Sequence, residues 1–599
     1  MEATPATLAA MSPRTALGPR LAQLEAEAGV TFGEVRRLLC ALALSGDPSV
    51  PGLVEETGVP HRRVLEILRS LSLEVSGKAV VVDDEDRDEL RRRLGCSDPP
   101  DTAAPPATPA ADRALEIIEE VSEGLPPSVW SLDHVPATPA TILQRARYLA
   151  DRHGLKAAHL VCLGDHDLTA VAAKLLVPEA AVSVVDIDER LLEYLDAVGD
   201  RLGLGLRLYD ADLRLGLPRT LGSSADLVFT DPPYTAEGVE LFLRRGVEAL
   251  AERPGARLLF CHGAGDQGEE RLLAVQAILV RLHVALDALL PGFNRYRAAH
   301  AIGAASSLWV CRPTRRTRAA AAAGAGVIEA RIYSRGRASR ESAGPAIDGD
   351  VLGVVKASLG EARGTVGFVG DGWEDLAAGR PAVRVGLDDL VEAATEPPHH
   401  GHRRAWPNVL VVNLDRFYGA SLARVLMGAP QVARLLVVVD GRAAGILESD
   451  PVKRLIGARY AVQLLRSPQA GAPGVLSATP APAQFRADRV GWVLRYLQEH
   501  QDAKLRNAWR EALCGLASRL RGSCTKNEAR ALVDDTAMRA WELDAHLLDL
   551  PRHRLAALVA AVESTVAALP GPQRGPLAGD VSVAERTGGA TPTAPPPSP

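Results

Sequence analysis

The sequence lacks the cysteine patterns that hold a disulfide framework or a zinc ribbon. Its seven cysteines are scattered over 599 residues, and no two of them form a Cys-x-x-Cys pair. The sequence therefore indicates neither a small disulfide-rich domain nor a small zinc-binding domain. The cysteines are Cys40, Cys96, Cys162, Cys261, Cys311, Cys514 and Cys524.

Long apolar runs are also missing. No stretch approaches the roughly 18 apolar residues of a membrane span. Residues 1–20 lack the continuous apolar segment of a secretory signal. The hydrophobic fraction of 47% is nevertheless enough to build real cores. We expect a cytoplasmic protein with no membrane partner.

An excess of charge of one sign is absent as well. The chain has 68 basic and 74 acidic residues and a formal net charge of −6. Because this balance gives no global attraction for a polyanion, nucleic acid is not the expected partner. The cluster His399, His400, His402, Arg403 and Arg404 lacks nearby acids and cysteines, and its arginines oppose a cation. No metal site is predicted there.

The length and the composition shifts predict an α/β protein of several units. Strands alternating with helices, Pro-rich stretches and helical periodicity mark the boundaries. The predicted units are a winged-helix-like module at 30–96, a Pro/Ala linker at 97–112, a Rossmann-like catalytic domain at 113–313, an Arg-rich arm at 314–349, an α/β region at 350–483, a helical region at 484–565 and a disordered tail at 566–599.

The N-terminal module has the outline of a winged helix-turn-helix, with Gly58 at a tight turn and Gly77 at the bend of a hairpin. Its Arg62, Arg63 and Arg69 suggest DNA binding. The alternative is a small packing or oligomerisation module. Without a strongly basic surface, we favour the alternative.

In the middle domain, strands alternate with helices that begin near Thr169, Glu189, Glu237 and Glu269. Such alternation predicts βαβ units and a parallel sheet, whose ligands bind at the carboxyl ends of the strands. The predicted strands are 158–164, 181–188, 206–212, 225–231, 256–263 and 306–313.

The loop after the first of these strands carries Gly164, Asp165, His166 and Asp167. Dinucleotide sites place several glycines there so that the backbone can approach a pyrophosphate. This loop has one glycine, and its two carboxylates repel phosphate. The sequence therefore predicts a cationic ligand instead of NAD or ATP.

Acids follow the next two strands. Asp186 ends the second strand, where a carboxylate commonly accepts hydrogen bonds from ribose hydroxyls. Asp188 would cap the following helix. The alternative is that both acids only end the strand and start the helix. In the third strand's segment, Asp210 or Asp212 would contact an adenine amino group.

The fourth strand ends in Asp231, Pro232, Pro233 and Tyr234. The prolines fix the backbone, so the carboxylate and nearby carbonyls are aimed in advance. These acceptors and the tyrosine ring suit an amine held by hydrogen bonds and cation–π contact. Together, the strand-end residues predict an adenosyl sulfonium donor and an amine nucleophile, with displacement at a carbon attached to sulfur.

The motifs "LGDHDLTAVA", "VVDIDERLLEYL", "DLRLGLP" and "FTDPPYTAEGVELFLRRGVEAL" occur in this order. The chain thereby resembles the N(4)-bis(aminopropyl)spermidine synthases, the branched-chain polyamine synthases, over about residues 30–313, followed by a long C-terminal extension. The resemblance implies aminopropyl transfer from decarboxylated S-adenosylmethionine to spermidine, and it favours a homodimer.

The resemblance also suggests roles for the first loop, which in the family is Gly-Asp-Asp-Asp. Gly164, Asp165 and Asp167 match this pattern, and His166 replaces the middle acid. Asp167 would orient and deprotonate the amine, with help from Asp165. His166 is either a general base or, as we favour, a loop residue bonded to its neighbours. Its flanking carboxylates would tend to keep it charged.

Two other functions remain open. The Asp-Pro-Pro-Tyr motif also suits an S-adenosylmethionine-dependent amino-methyltransferase, although the glycine-rich first loop of a methylase is missing. A non-catalytic winged-helix sensor of a nucleoside or polyamine is the second alternative. Within the extension, "NLDRFYGASLARVLM" again places an acid and a glycine after a strand. This suggests a degenerate nucleoside-type fold or, as we favour, a structural or regulatory unit.

Overall fold

The computed structural model divides the chain into two compact units, Met1–Tyr209 with Leu221–Glu341, and Asp210–Thr220 with Ser342–Pro599. The described residues are 17–29, 32–57, 59, 61–96, 109–263, 268–297, 305–323, 332–334, 347–360, 364–370, 373, 376, 382–385, 406–414, 422–430, 432–441, 445–468, 473–481 and 488–569. Gly58, the His/Arg cluster at 399–404 and the tail from 570 lie outside them.

The N-terminal part of the first unit combines helices with an antiparallel hairpin. The hairpin turns at Gly77, whose φ of +64° is readily adopted by glycine. Leucine and valine side chains from all of these helices form one buried core. The winged-helix assignment remains a prediction. The elements are α1 (Leu17–Ala28), α2 (Phe32–Leu44), α3 (Val50–Thr57), α4 (His61–Ser70), β1 (Glu74–Ser76), β2 (Ala79–Val81) and α5 (Asp84–Leu94).

A disulfide joins Cys40 of α2 to Cys96, which follows α5, across a sequence separation of 56. The spacing of the cysteines along the chain gave no indication of this disulfide. The two cysteines are far apart in the sequence and meet only because α5 packs on α2.

The rest of the first unit is a sheet with the order β5-β4-β3-β6-β7-β9-β8. The pairs of β3 with β4, β3 with β6 and β6 with β7 are parallel, whereas β9 is antiparallel to both neighbours. The predicted α/β class is therefore confirmed, with a mixed sheet in which parallel pairing dominates. The strands are β3 (His159–Leu163), β4 (Ala181–Asp186), β5 (Arg207–Asp210), β6 (Leu227–Thr230), β7 (Arg257–His262), β8 (Val284–Arg295) and β9 (Ala305–Pro313).

Helices connect these strands and precede the first of them. Thr138 caps α7 by accepting from the backbone N–H of Thr141, and Gly154 ends the helix with φ +58°. α12 lies in the region that the sequence predicted to be an arm. The helices are α6 (Pro109–Glu123), α7 (Pro139–His153), α8 (Thr169–Leu176), α9 (Glu189–Leu202), α10 (Ala236–Ala249), α11 (Gly268–Arg281) and α12 (Thr317–Ala323).

Strand β8 was not predicted from the sequence. It contains Pro291 and Gly292, and its pairing with β9 is interrupted by two register shifts. Both residue types are unfavourable in central strands and are tolerated at an edge, where β8 lies.

The second unit has its own sheet, in the order β11-β10-β12-β13-β15-β14. A helical region follows it. The strands are β10 (Val366–Val369), β11 (Ala382–Val385), β12 (Val409–Asn413), β13 (Arg434–Val439), β14 (Tyr460–Arg466) and β15 (Gly474–Pro480). The helices are α13 (Gly349–Gly360), α14 (Leu422–Gly428), α15 (Asp450–Gly457), α16 (Arg489–Glu499), α17 (Leu505–Arg519), α18 (Lys526–Asp534), α19 (Ala540–Asp544) and α20 (Arg552–Ala568).

Within this second unit, buried Asp549 holds the end of segment 210–220. Its carboxylate accepts from the backbone N–H and the hydroxyl of Thr220, at 3.1 and 2.8 Å. Arg424 lies 3.6 Å from the same carboxylate and also donates to the carbonyl of Asp210. Both ends of the segment are thus fixed by residues far away in sequence.

Across the residues described above, we find no helix that is both long and apolar enough to cross a membrane.

Candidate active site

The turn after β3 is built around Gly164 and Asp165. Gly164 adopts a φ of +70°. The Asp165 carboxylate accepts from the backbone N–H groups of Thr169 and Ala170, both at 2.9 Å. These are the first N–H groups of α8, which have no partner within the helix. Burial raises the pKa of Asp165 well above its usual value, although these two hydrogen bonds oppose the shift. The geometry favours a structural role for Asp165 over direct contact with an amine.

Asp167 and Asp231 share one buried arginine. Arg145 of α7 donates from Nη1 to Asp167 Oδ2 and from Nη2 to Asp231 Oδ2, both at 2.7 Å. The side chain of Arg145 is 0% exposed, that of Asp167 9% and that of Asp231 15%. Two carboxylates and one guanidinium leave a net charge of −1 when both acids are ionised. Asp231 is the member that a ligand reaches most easily.

Further polar and aromatic groups hold Arg145 in place. Its Nε donates to Asn294 Oδ1 at 2.8 Å. Its guanidinium carbon lies 5.2 Å from the centre of the Phe229 ring and 5.8 Å from that of Tyr296. The second oxygen of Asp167 accepts from the backbone N–H of Ala137 at 2.8 Å. Both oxygens of Asp167 are therefore engaged within the protein.

Asp231 lies at the centre of a hydroxyl network. Tyr296 donates to its Oδ2 at 2.6 Å, and Tyr234 donates to its Oδ1 at 3.2 Å. The two tyrosine hydroxyls are 3.1 Å apart. Burial raises the pKa of Asp231 to about 6, although Arg145 and the Tyr296 hydrogen bond oppose this shift. At pH 7 the Asp231 carboxyl group is therefore mostly ionised. Its pKa lies closer to 7 than the pKa of a free aspartate does.

Tyr234 places its ring beside that of His262, with 5.1 Å between the centroids. Pro232 and Pro233 are buried, and Tyr234 is half-buried. The turn thus presents a carboxylate and a partly accessible aromatic face, and the amine clamp remains a prediction.

His166 stacks on His134, with ring centroids 4.3 Å apart. Burial is the main cause that lowers the pKa of His166, and neighbouring His134 lowers it further. The carboxylates of Asp167 and Asp186 oppose this shift. The expectation that flanking carboxylates keep this histidine charged is therefore wrong, because loss of hydration outweighs their attraction. Near pH 7 the imidazole ring of His166 is therefore uncharged and lines the loop.

Asp186 ends β4 and is buried. Its Oδ2 accepts from the N–H of Asp165 at 3.1 Å, and its Oδ1 accepts from the N–H of Asp188 at 2.8 Å. Each carboxylate oxygen has a second lone pair with which to accept from a ribose hydroxyl. Burial raises the pKa of Asp186. The ribose role remains a prediction.

Asp188 caps α9 by accepting from the N–H of Arg190 at 3.2 Å, and the Arg190 side chain also donates to it. Burial opposes ionisation, but the bonds to Arg190 hold the pKa of Asp188 below its usual value. This agrees with the capping role.

Asp210 and Asp212 belong to the second unit. The Asp212 carboxylate forms a buried ion pair with Arg214, at 2.6 Å between Oδ2 and Nη2. Asp210 ends β5 and is half-buried.

The sequence interpretation missed Arg145, His134, Asn294 and Tyr296. For Arg145 a signal existed. It lies three residues after Ile142 and four before Leu149, on the apolar face of α7, and all three are buried. A charged residue on such a face needs a partner. Asn294 and Tyr296 gave no comparable signal, because strand β8 was not recognised.

The described residues contain no group of three or more His, Cys, Asp or Glu side chains arranged to hold a metal ion. The cluster around Arg145 is instead suited to binding an amine. Asp231 accepts hydrogen bonds and protons, Tyr234 offers its ring, and the net charge of −1 attracts one cationic centre.

Residues 114–330 match the family model described as the branched-chain polyamine synthase A C-terminal domain. Over 172 residues the chain is 34% identical to an uncharacterized protein of Methanocaldococcus jannaschii, covering 29% of this chain and 43% of that protein. Over 189 residues it is 29% identical to N(4)-bis(aminopropyl)spermidine synthase of Thermococcus kodakarensis, covering 31% and 54%.

Among solved structures, the branched-chain polyamine synthase of Thermus thermophilus in complex with N4-aminopropylspermidine and 5′-methylthioadenosine is similar, at 22% identity and a TM-score of 0.30. The similarity covers 50% of this chain and 93% of that one. The chain spans about half the length of the curated relatives that it matches. The resemblance to the branched-chain polyamine synthases is thus confirmed for the domain at 114–330, and the chain continues well beyond it on the C-terminal side.

Proposed function

We propose that this protein transfers aminopropyl groups from decarboxylated S-adenosylmethionine to a polyamine such as spermidine. The observation that carries the proposal is the cluster of Asp167, Arg145, Asp231 and Tyr234 at the strand ends of a domain that matches the polyamine synthase family. The relative from T. kodakarensis bears the name of such an enzyme.

The reaction is a displacement at carbon. The lone pair of the acceptor nitrogen forms a bond to the aminopropyl carbon that is attached to the sulfonium. The carbon–sulfur bond breaks, and sulfur keeps its electron pair and leaves as the neutral thioether of 5′-methylthioadenosine. A secondary amine then releases one proton. A tertiary amine, as in a second transfer, has no proton to release.

We assign to Asp231 the role of accepting the proton that the secondary amine releases. Its carboxylate is more exposed than that of Asp167, and its pKa of about 6 suits a base that works near neutrality. Asp167, which is bonded to Arg145 and to Ala137, would position Arg145 and add negative charge. Asp186 would bind the ribose.

The proposal is tested by mass spectrometry on the purified protein incubated with spermidine and one of two donors. With decarboxylated S-adenosylmethionine we expect the polyamine to gain one or two aminopropyl units. Methyl gain with S-adenosylmethionine would instead assign the protein to the amino-methyltransferases.

A matched pair of variants links the activity to the site. Asp231→Asn removes the proton acceptor and should lower turnover at least 100-fold. Asp200→Asn changes an exposed aspartate on α9 of the same domain and should leave turnover unchanged. Full turnover in Asp231→Asn under saturating substrates would contradict the assignment of the amine site.

A further inference from the structure

The sheet of the second unit repeats the topology of the first. In the first sheet, three parallel pairs join β4, β3, β6 and β7, and the antiparallel strands β9 and β8 follow. In the second sheet, three parallel pairs join β11, β10, β12 and β13, and the antiparallel strands β15 and β14 follow. Apart from the edge strand β5, the described strands correspond one to one.

The correspondence extends to the turn after the central strand. Gly164 follows β3 with φ +70°, and Gly370 follows β10 with φ +84°. In each case the next residue in the sequence is an aspartate. The pairing of the central strand with its two neighbours aligns the rest of the two sheets residue by residue. Each residue of the first sheet is named here before its equivalent in the second: Leu163 and Val369, Val185 and Val385, and Thr230 and Val412.

At the strand ends, this alignment pairs three proposed functional acids of the first sheet with residues that carry no charge. The acids that bond backbone N–H groups at the helix starts, Asp165 and Asp188, instead align with Asp371 and Asp388. The ribose candidate, the shared acid after β6 and the acid three residues beyond the glycine have all changed. A site for a cationic polyamine or for ribose hydroxyls needs such acceptors. The replacements are Gly386 for Asp186, Asn413 for Asp231 and Trp373 for Asp167.

Trp373 also fills the space beside its turn. The side chain is buried, lies 5.8 Å from the ring of Phe368, and belongs to the apolar core of the second sheet. Its indole N–H donates to the carbonyl of Val369 at 3.0 Å, so the ring is fixed over the end of β10. A Cβ added to Gly370 would lie 3.3 Å from the Cβ of Asn413, so the turn and the end of β12 are already in close contact.

We propose that the sheet β10–β15, with the described residues around it, is a second, closed copy of the transferase fold, so that each chain holds one nucleoside and amine site and not two. The copy keeps the strand order and the turn glycine, whereas Trp373 occupies the place of the acid that the first site needs. It serves as a structural unit of the chain. The expected number of nucleosides per chain rests on the proposed function, but the closure of the second copy does not.

Photolabelling distinguishes the two copies. The full chain is irradiated with 8-azido-5′-methylthioadenosine, and the modified peptides are mapped by mass spectrometry. We expect adducts at the strand ends of the first sheet and none in residues 347–481. Adducts in residues 347–481 that unlabelled 5′-methylthioadenosine competes away would overturn the closed copy.

Equilibrium dialysis counts the sites. With 5′-methylthioadenosine, the wild-type chain should bind one molecule at saturation. Two molecules bound per wild-type chain would reveal an open second site and overturn the inference. Wild-type protein that binds none would contradict the nucleoside site of the proposed function while agreeing with the closed second copy.

Trp373→Ala tests the closure without reference to the first site. If the indole is packing, the variant should lower the melting temperature by roughly 10 °C and leave the kcat and KM of aminopropyl transfer unchanged. Asn413→Asp, which restores an acid at the position equivalent to Asp231, should bind no second nucleoside. A Trp373→Ala variant that keeps its melting temperature but loses turnover would show that Trp373 lines a working site.

Discussion

Arg145 and Asp231 are joined at 2.7 Å between Nη2 and Oδ2, and the same guanidinium reaches Asp167 at 2.7 Å with Nη1. The acids predicted to receive the amine therefore already share one permanent cation. The incoming amine meets a cluster of net charge −1 instead of −2. A single cationic centre matches this charge, and the arginine keeps the two carboxylates at a fixed separation.

Arg145→Met tests this role. The substitution leaves two buried carboxylates without their partner, and we expect it to lower the free energy of unfolding by about 3–5 kcal/mol. Thermal and urea unfolding measure the loss. Arg113→Met, at an exposed position on α6, is the control and should change stability by less than about 0.5 kcal/mol. Equal stability of both variants would show that the shared arginine is dispensable.

The pH dependence of turnover should report on Asp231. Because its pKa is raised to about 6, the carboxylate is the proton acceptor above that pH and is protonated below it. We expect kcat/KM for the transfer to rise with pH up to an inflection near 6.

Tyr296→Phe should move this inflection to higher pH. The Tyr296 hydroxyl donates to Asp231 at 2.6 Å, and a hydrogen bond to the charged form favours ionisation. The variant removes that bond and keeps the ring. Tyr194→Phe, in which the lost hydroxyl bonds Val121 instead, is the matched control. Coinciding profiles for wild type and Tyr296→Phe would exclude Asp231 as the titrating base.

Asp186 and Asp188 separate nucleoside binding from helix capping. Asp186→Ala should weaken binding of 5′-methylthioadenosine at least tenfold, because a ribose acceptor is lost. Asp188→Ala should lower the free energy of unfolding by about 1 kcal/mol through loss of the α9 cap and affect binding less. Calorimetric titration and thermal unfolding of both variants measure the two effects. Unchanged affinity in Asp186→Ala would refute the ribose assignment.

The Cys40–Cys96 disulfide should stabilise the N-terminal module. A loop of this length, with a sequence separation of 56, gives about 4 kcal/mol from the chain-entropy model. Cys40→Ser should therefore lower the melting temperature under non-reducing conditions and have no further effect under reducing ones. Cys514→Ser, which changes a free cysteine, is the control. Thiol titration of unfolded wild type that finds all seven cysteines free would contradict the bond.

Asp549 should make the second unit sensitive to acid. Burial works against its charge, but His546, Arg424 and Thr220 together hold its pKa below the usual value. A lowered folded-state pKa contributes stability above the unfolded value of about 3.9, and that stability is lost as the pH falls through the folded-state pKa. Melting temperatures of wild type and Asp549→Asn should thus differ at pH 7 and converge toward pH 3.

An exposed aspartate supplies the control for this acid effect. Asp535→Asn follows α18 in the same helical region and should show no comparable convergence. A difference between wild type and Asp549→Asn that persists undiminished at pH 3 would contradict the assigned role.

The α/β class, the alternation of strands and helices at 156–313, and the strand-end positions of Asp167, Asp186 and Asp231 were predictable from the sequence. The reason is local. A run of apolar residues that ends in a glycine or an acid identifies a buried strand and its carboxyl end, and parallel strands bring those ends to one edge. The family resemblance rests on the same local motifs.

Tertiary structure alone decided how these residues are used. Arg145 lies 86 positions from Asp231 and Asn294 lies 149 from Arg145, so no local pattern links them. Cys40 meets Cys96, and Thr220 meets Asp549, for the same reason. The charge of His166 depends on burial, which periodicity does not measure for a loop. The order of the second sheet, and with it the equivalence of Trp373 and Asp167, depends on pairing between strands that are distant in sequence.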